Sequence, residues 1–302
     1  MRKAVITILG VFVLLTGSIY FFIPGKINIT DYTAVNATAN GTYRVLSDTG
    51  KWAGWWPKDL NNYTYTLSEK LYNAIKVSIR NNTTQFSSKI GILPLPGDSA
   101  LLQWESTLTT GFNPFKRLIR YRQAIQVKNN MTVILKRLQF FLNKNENIYG
   151  YPIRQVIVKD SFLLFIAKTL PHYPRTNEIY VLIGQLQHYA SKHGATNTNY
   201  PMLNIRPLDN HLFETRVAIP VSRQLENDGA IISKRLVTGG NMIVTTITGG
   251  TLPAHEALAA LKTYIHDYQK VILAIPFESL VTNRLQEPDS ARWITMVCYP
   301  IM

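Results

Sequence analysis

The chain has 302 residues, 46% of them hydrophobic, so it is long enough for two domains with separate cores and too apolar for wholesale disorder. Its single cysteine, Cys298, excludes an intrachain disulfide and any zinc site built on several cysteines. The formal net charge is +14, but the cations are scattered and no nucleic-acid-binding motif accompanies them. Nucleic acid is therefore not expected as a partner.

The N-terminal segment begins with Arg2 and Lys3 and continues as an uncharged apolar run over residues 4–23. About 20 apolar residues at 1.5 Å per residue match a bilayer core of about 30 Å. The run ends in bulky residues, 20–23, so an uncleaved anchor is preferred to a cleaved signal peptide. Segment 1–25 is therefore predicted to be a transmembrane anchor or signal. The basic residues before it would place the rest of the chain in the periplasm or outside the cell, with the membrane as a partner.

Segment 26–150 is predicted to form the first domain. Alternating apolar and polar residues, such as Ile75, Val77 and Ile79, indicate strands. Strands are predicted at 27–35, 74–80, 86–95 and 101–109, and a short helix at 42–46. The basic stretch 116–122 is predicted to be strand or turn. A change to three- and four-residue spacing then predicts a long helix with one apolar stripe. That stripe comprises Val127, Met131, Ile134, Leu135, Leu138 and Leu142.

An aromatic loop follows the first short helix and contains Trp52, Trp55, Trp56 and Pro57. With the strand at 101–104 and the long closing helix, it gives residues 27–145 a pattern that resembles the helix-grip (SRPBCC) family of polyketide cyclase and START-like domains. The resemblance implies a curved antiparallel sheet wrapped around the helix, often with a cavity between them. The tryptophans, with Trp104, would then be core or cavity wall, and this domain could hold a lipid.

The segment 151–302 contains an internal repeat with an offset of 75 residues. The helix positions Ile183, Leu186 and Tyr189 fall on Leu258, Leu261 and Tyr264. Strand 201–203 falls on 276–278, and 217–221 falls on 297–301 after a five-residue insertion. Each copy reads strand, helix, strand, strand, so the expected fold is a pseudo-twofold duplicated domain with a groove on its axis. The fold class as a whole is predicted to be α+β: a transmembrane helix, a helix-grip domain and this duplicated domain.

Residues 155–302 also resemble the gyrase-inhibitor-like effector-binding domain of AraC- and MerR-type regulators. The residues that carry the resemblance are Gly239-Gly240, Gly249-Gly250 before a helix, Pro276-Phe277-Glu278, and the ending 293–301. The resemblance implies a pocket in which the matching glutamate faces cationic, lipophilic ligands. Leu280 departs from the family pattern, which has an aromatic residue there, so the ligand preference could differ.

Glu278 is the residue to which the sequence assigns the site, because its repeat counterpart is the apolar Leu203. A partly buried carboxylate is costly unless a cation or hydrogen bonds meet it, and aromatic faces attract cations. The ligand-binding residues are therefore predicted to be Glu278, Trp293 and Tyr299, with Tyr264 and Phe277 less central. The opposing interpretation is a glutamate on an edge strand that pairs with a surface arginine.

No hydrolase elbow, metalloprotease helix or phosphate-binding glycine loop is present in the sequence. Neither catalytic residues, nor a metal, nor a cofactor is therefore predicted. The leading hypothesis is a membrane-anchored, extracytoplasmic binding protein for a small lipophilic molecule, a class that includes lipophilic cations. One alternative is a hydrolase of small electrophilic compounds that uses Glu278 as a base beside Tyr299 and Trp293. Another is a scaffold that binds no ligand.

Overall fold

The structure of the chain is a computed structural model that describes residues 2–58, 60, 62–82, 84–159, 162–235 and 239–302. The chain divides into two compact units, residues 1–148 (unit 1) and 149–302 (unit 2). Each unit is built on one antiparallel sheet with helices, so the α+β class predicted from the sequence is confirmed.

Helix α1, Arg2–Phe22, covers the apolar run at the N-terminus. A bilayer crossing needs about 20 predominantly apolar residues in one helix. Over the part of the chain that the structure describes, no helix is both long enough and apolar enough to make that crossing. The transmembrane helix in the predicted fold class is therefore wrong.

Two further predictions depended on the same helix. The predicted localisation was a single-pass membrane protein with both domains outside the cytoplasm, and because no described helix can make the crossing, that localisation is wrong as well. The membrane as a partner was inferred from the same segment, and the described residues give it no support.

Unit 1 contains a five-stranded antiparallel sheet in the order β1-β5-β4-β3-β2. Its strands are β1 (Lys26–Val35), β2 (Thr64–Lys70), β3 (Ala74–Asn81), β4 (Thr84–Leu95) and β5 (Ser99–Thr109). The four predicted strands are confirmed within a few residues. Strand β2 was not predicted, because Tyr65 and Leu67 are the only apolar side chains of its alternating pattern.

Helix α4, Pro114–Leu142, packs against β1 and β5. All six residues of the predicted stripe are buried, as an amphipathic helix on a sheet requires. The helix begins earlier than expected, so the prediction of strand or turn at 116–122 is wrong. The reason is a helix start: Asn113 Oδ1 accepts hydrogen bonds from the N–H groups of Phe115 and Lys116, with Pro114 in the first turn.

The aromatic loop follows two short helices, α2 (Ala39–Ser47) and α3 (Thr49–Trp52). Trp52 and Trp56 stack with ring centroids 4.3 Å apart, and Trp56 lies 6.1 Å from Trp104. Trp104 is fully buried, and its indole N–H donates to Ser88 Oγ at 3.0 Å. These rings pack on one another and form much of the interior of unit 1.

Unit 2 contains an eight-stranded antiparallel sheet in the order β10-β7-β9-β8-β12-β13-β11-β6. Its helices are α6 (Thr176–Lys192) and α7 (Thr251–Asp267), and the short helix α5 (Asn145–Tyr149) lies almost entirely in unit 1. Its strands are β6 (Arg154–Ile157), β7 (Phe162–Leu170), β8 (Met202–Pro207), β9 (Phe213–Val221), β10 (Ile232–Arg235), β11 (Asn241–Thr248), β12 (Phe277–Leu280) and β13 (Ile294–Ile301).

The repeat found in the sequence organises this sheet. Helices α6 and α7 begin 75 positions apart, and each copy runs strand, helix, strand, strand, as predicted. The copies contribute β7-β9-β8 and β12-β13-β11, which are mirrored orders that meet where β8 pairs with β12. The two halves therefore share one continuous sheet, and their junction lies at its centre.

One face of this sheet supports the core of the first copy. Leu203, Val217 and Leu280 point to that face and join Ile183 and Leu186 of α6 in one buried cluster. Because strand side chains alternate between faces, Glu278 and Thr295 point to the same face as these residues. The residue singled out by the sequence thus lies on the helix-covered side of the sheet.

Candidate functional site

Glu278 lies on β12 at the junction of the two repeat copies, in register with Leu203 on one side and Val297 on the other. Its side chain is 18% exposed, whereas Leu203 is almost completely buried. A carboxylate at this depth is unfavourable unless it is paired, because burial removes most of its hydration.

Arg284 supplies the pairing. Its Nη2 donates to Glu278 Oε2 at 3.1 Å and to Thr295 Oγ1 at 2.9 Å. The arginine side chain is only 7% exposed, so this is a buried, hydrogen-bonded ion pair. Arg284 Nε is also buried and has no hydrogen-bond partner in the described part of the chain. The pair therefore leaves one N–H of the guanidinium unsatisfied.

Trp293 covers the guanidinium. The guanidinium carbon of Arg284 lies 4.7 Å from the centroid of the Trp293 ring, which is a cation–π distance. The indole N–H donates to the carbonyl of Glu287 at 2.8 Å, and this bond fixes the ring. Of the five predicted site residues, Glu278 and Trp293 are brought together, and the group that joins them is Arg284.

The segment 281–293, which connects β12 to β13 and is called the 281–293 loop below, holds this arrangement. The hydroxyl of Tyr180 on α6 accepts from the Arg284 backbone N–H at 2.7 Å and donates to the carbonyl of Thr282 at 3.3 Å. Thr282 Oγ1 in turn accepts from the N–H of Ile294 at 2.8 Å. The backbone that carries Arg284 is thus tied to α6 and to the start of β13.

A second group of rings comes from Tyr173, Phe213 and His255. The Tyr173 ring lies 5.6 Å from Phe213 and 6.3 Å from His255, edge-on in both cases. Burial, and after it the charge of Glu278, raises the pKa of Tyr173, while Arg284 and a hydrogen bond with Thr251 lower it. The tyrosine hydroxyl therefore shares the electrostatic environment of the ion pair. We call Tyr173, Phe213, His255 and Trp293 the aromatic rim.

The other three predicted residues lie elsewhere in unit 2. Phe277 precedes Glu278 on the strand and points to the opposite face, in register with Cys298. Tyr264 lies 13 positions, or about 20 Å, along α7 from its first residue, and stacks on Tyr268 at 4.2 Å. Tyr299 is on the face of Glu278 but is buried beside Ile243, and burial raises its pKa.

The sequence reasoning missed Arg284, Thr295, Tyr180 and Tyr173. The opposing interpretation of Glu278 did include pairing with an arginine, but with one at the surface. A signal was available: the five-residue insertion of the second repeat copy falls between β12 and β13, and Arg284 lies in that connection. Because the insertion follows Glu278, the residue that differs in charge from its repeat counterpart, it indicates where the partner of Glu278 lies.

Unit 1 contains a cavity near the start of β2. It has a volume of about 480 Å³ and is lined by polar side chains, Asn62, Thr64, Arg80, Asn81, Asn82, Thr84 and Gln85. This lining differs from the apolar wall that a lipid would need. Over the described residues, no three His, Cys, Asp or Glu side chains come together as a metal site.

No protein-family model matches the chain, and no curated protein matches it. Among solved structures it is similar to the EcmrR C-terminal domain, with 18% identity over 50% of this chain and 98% of that chain, at a TM-score of 0.42. A START superfamily protein from Mycobacterium smegmatis is 15% identical over 38% of this chain and 97% of that chain, at a TM-score of 0.29.

A third similar structure is SAV2435 bound to tetraphenylphosphonium. It is 14% identical over 50% of this chain and 93% of that chain, at a TM-score of 0.31. At these identities and TM-scores the similarity supports no functional inference. The function proposed below depends on the residues of the site.

Proposed function

We propose that unit 2 binds a small, lipophilic and preferably aromatic molecule at the aromatic rim, above the Glu278–Arg284 pair. Binding sites for small molecules are mostly apolar, with a few precisely placed polar groups that fix orientation. The rim supplies aromatic rings, and the ion pair beside Trp293 supplies the polar group. The observation on which the proposal rests is that a buried ion pair lies directly under a partly exposed aromatic side chain, Trp293.

Two further features support this proposal. Tyr173 is 37% exposed, and the charge of Glu278 contributes to the raised pKa of this tyrosine, so an accessible aromatic side chain lies within electrostatic range of the carboxylate. Thr215, the counterpart of Thr295 in the first copy, is buried and its hydroxyl has no partner in the described residues. Polar groups left unpaired in this way are the ones a ligand or an ordered water satisfies.

The geometry does not favour the hydrolase alternative. The indole N–H of Trp293 is committed to the Glu287 carbonyl, and Tyr299 is buried at a different position along β13. Neither residue is thereby placed to orient a substrate over Glu278. The scaffold hypothesis predicts that the chain binds no ligand, and the binding experiment described next tests that prediction.

Fluorescence titration of the full chain tests the proposal. Trp293 is the only tryptophan of unit 2, and the other four, at 52, 55, 56 and 104, lie in unit 1. Triphenylphosphine oxide is a suitable probe because it is aromatic, neutral and carries one acceptor oxygen. We expect saturable quenching that is lost in Trp293→Phe, and at least tenfold weaker binding by calorimetry in Trp293→Ala.

A matched control is Phe140→Ala, which removes a 73% exposed ring from unit 1 and should leave the affinity unchanged. If neither triphenylphosphine oxide nor tetraphenylphosphonium, the molecule bound in SAV2435, binds the folded wild-type chain, then the proposed function fails and the scaffold alternative stands.

A further inference from the structure

The two repeat copies differ most where they connect their last two strands. The offset between equivalent residues is 75 from Leu203 to Glu278 but 80 from Val217 to Val297, so the second copy has five additional residues between these two positions. The first copy joins β8 to β9 with residues 208–212, and the second joins β12 to β13 with the 281–293 loop. Both the acidic residue and the longer loop therefore belong to one copy only.

The longer loop brings a cation to the acidic residue. A carboxylate together with the face of an aromatic ring attracts a cation in a protein site. Here Glu278 Oε2 and the Trp293 ring provide these two elements, and the guanidinium of Arg284 occupies the place between them, at 3.1 Å and 4.7 Å. Thr295 Oγ1 and the Tyr180 hydroxyl hold its side chain and its backbone.

We propose that Arg284 is a built-in occupant of the cation position, and that this residue sets the ligand preference of the site. The proposal rests on the proposed function. A lipophilic cation would have to displace a guanidinium that is fixed by hydrogen bonds, whereas a neutral aromatic molecule with an acceptor oxygen would not. Such an oxygen could also satisfy the unpaired Arg284 Nε. The ligand class expected for this chain is therefore a neutral aromatic compound with a carbonyl-like acceptor oxygen.

Two arylphosphorus probes test this inference, one a permanent cation with four phenyl rings and the other a neutral molecule with three phenyl rings and an acceptor oxygen. Tetraphenylphosphonium is a cation, and triphenylphosphine oxide is a neutral acceptor of related shape. For the wild-type full chain we expect the oxide to bind at least tenfold more tightly than the phosphonium, measured by calorimetry. In Arg284→Met the phosphonium should gain at least tenfold, and this gain should disappear in the double variant Glu278→Gln/Arg284→Met.

Arg284→Gln is the second variant, because it removes the positive charge but keeps a polar side chain with hydrogen-bond donors at this position. It should also strengthen phosphonium binding. Arg292→Met is the matched control: this arginine lies in the same loop, is 74% exposed and pairs only with Asp289 among the described residues. Its loss should change neither affinity.

The outcomes separate this inference from the proposed function. If the folded Arg284 variants bind the phosphonium no better than wild type does, Arg284 is not an occupant of a cation position and the inference is overturned. Oxide binding to wild type would then still support the proposed function. If wild type prefers the phosphonium, the inference is also overturned, although unit 2 would remain a binding unit.

Discussion

Glu278 and Leu203 are register partners across β12 and β8, so a carboxylate and the apolar residue that corresponds to it in the repeat lie side by side at the centre of the sheet. The first copy fills its half of the junction with a buried leucine that needs no partner. The second copy introduces a charge there, which requires a counter-charge at the same depth. The longer connection between β12 and β13 provides it.

The contributions of Glu278 and Arg284 to the free energy of unfolding should therefore be strongly coupled. Arg284→Met leaves a carboxylate that is 18% exposed without its cation, and we expect a loss of about 3 kcal/mol in the free energy of unfolding. Glu278→Gln should cost about 2 kcal/mol, because the guanidinium retains Thr295. The double variant should be less destabilised than the sum of the two, by about 1–3 kcal/mol. Urea unfolding followed by circular dichroism measures this cycle, and additive losses would contradict the pairing.

Much of this architecture could be predicted because it is encoded by periodicity. The stripe of α4 and the equivalence of α6 and α7 depend on apolar spacing, which a chain displays without any knowledge of its tertiary contacts. Glu278 stood out for a related reason, as the one charge in an otherwise apolar match. The α1 segment shows where an apolar pattern misleads. Its run of apolar residues was interpreted as a membrane crossing, and no described helix is long and apolar enough to make one.

The remainder of the site depends on chain paths that periodicity does not encode. Arg284 reaches Glu278 only through the turns of the 281–293 loop, and Tyr180 meets that loop from a helix about 100 positions earlier. Phe277 is a different case, because adjacent strand residues point to opposite faces. That rule alone separates Phe277 from Glu278 and was available from the sequence.

Helix α6 should show a stability that depends on acidic pH. Glu178 Oε2 accepts from the Arg175 N–H at 2.8 Å at the start of the helix. This bond, with a further contribution from His172, holds the pKa of Glu178 below its ordinary value of 4.5. A group with a lowered pKa in the folded state stabilises the fold above its unfolded pKa, and loses that effect as the pH falls through the folded pKa.

We therefore expect Glu178→Gln to lower the melting temperature at pH 7 and to have little effect near pH 3. Thermal unfolding of both proteins across this range measures the difference. Glu146→Gln, which removes an exposed carboxylate outside α6, serves as the charge-matched control. A difference that is the same at both pH values would show that the carboxylate charge is not the source.

In unit 1, Asn130 should be among the polar residues most costly to replace. It is 3% exposed, and its Nδ2 donates to the carbonyl of Leu60 at 3.0 Å and to the hydroxyl of Tyr65 at 3.1 Å. Asn130→Leu would leave both acceptors buried without this donor, at a cost of about 1–3 kcal/mol. Gln139→Leu, at a half-buried position of the same helix, loses one bond to Ala34 and should cost under about 1 kcal/mol. Equal losses in urea unfolding would contradict the role of burial.

The only thiol of the chain should be inert in the native state. Cys298 on β13 is fully buried, and desolvation raises the pKa of its thiol to about 12. At pH 8 the thiolate fraction is then roughly a thousandfold below that of a free cysteine, and the surrounding sheet also blocks access. Ellman's reagent should react with no thiol in the folded chain and with one in denaturant, while Thr107→Cys, at an exposed position on β5, should add one fast-reacting thiol. Rapid reaction of the native wild-type protein would mean that β13 opens on the timescale of the assay, which would contradict the protection that the burial of Cys298 predicts.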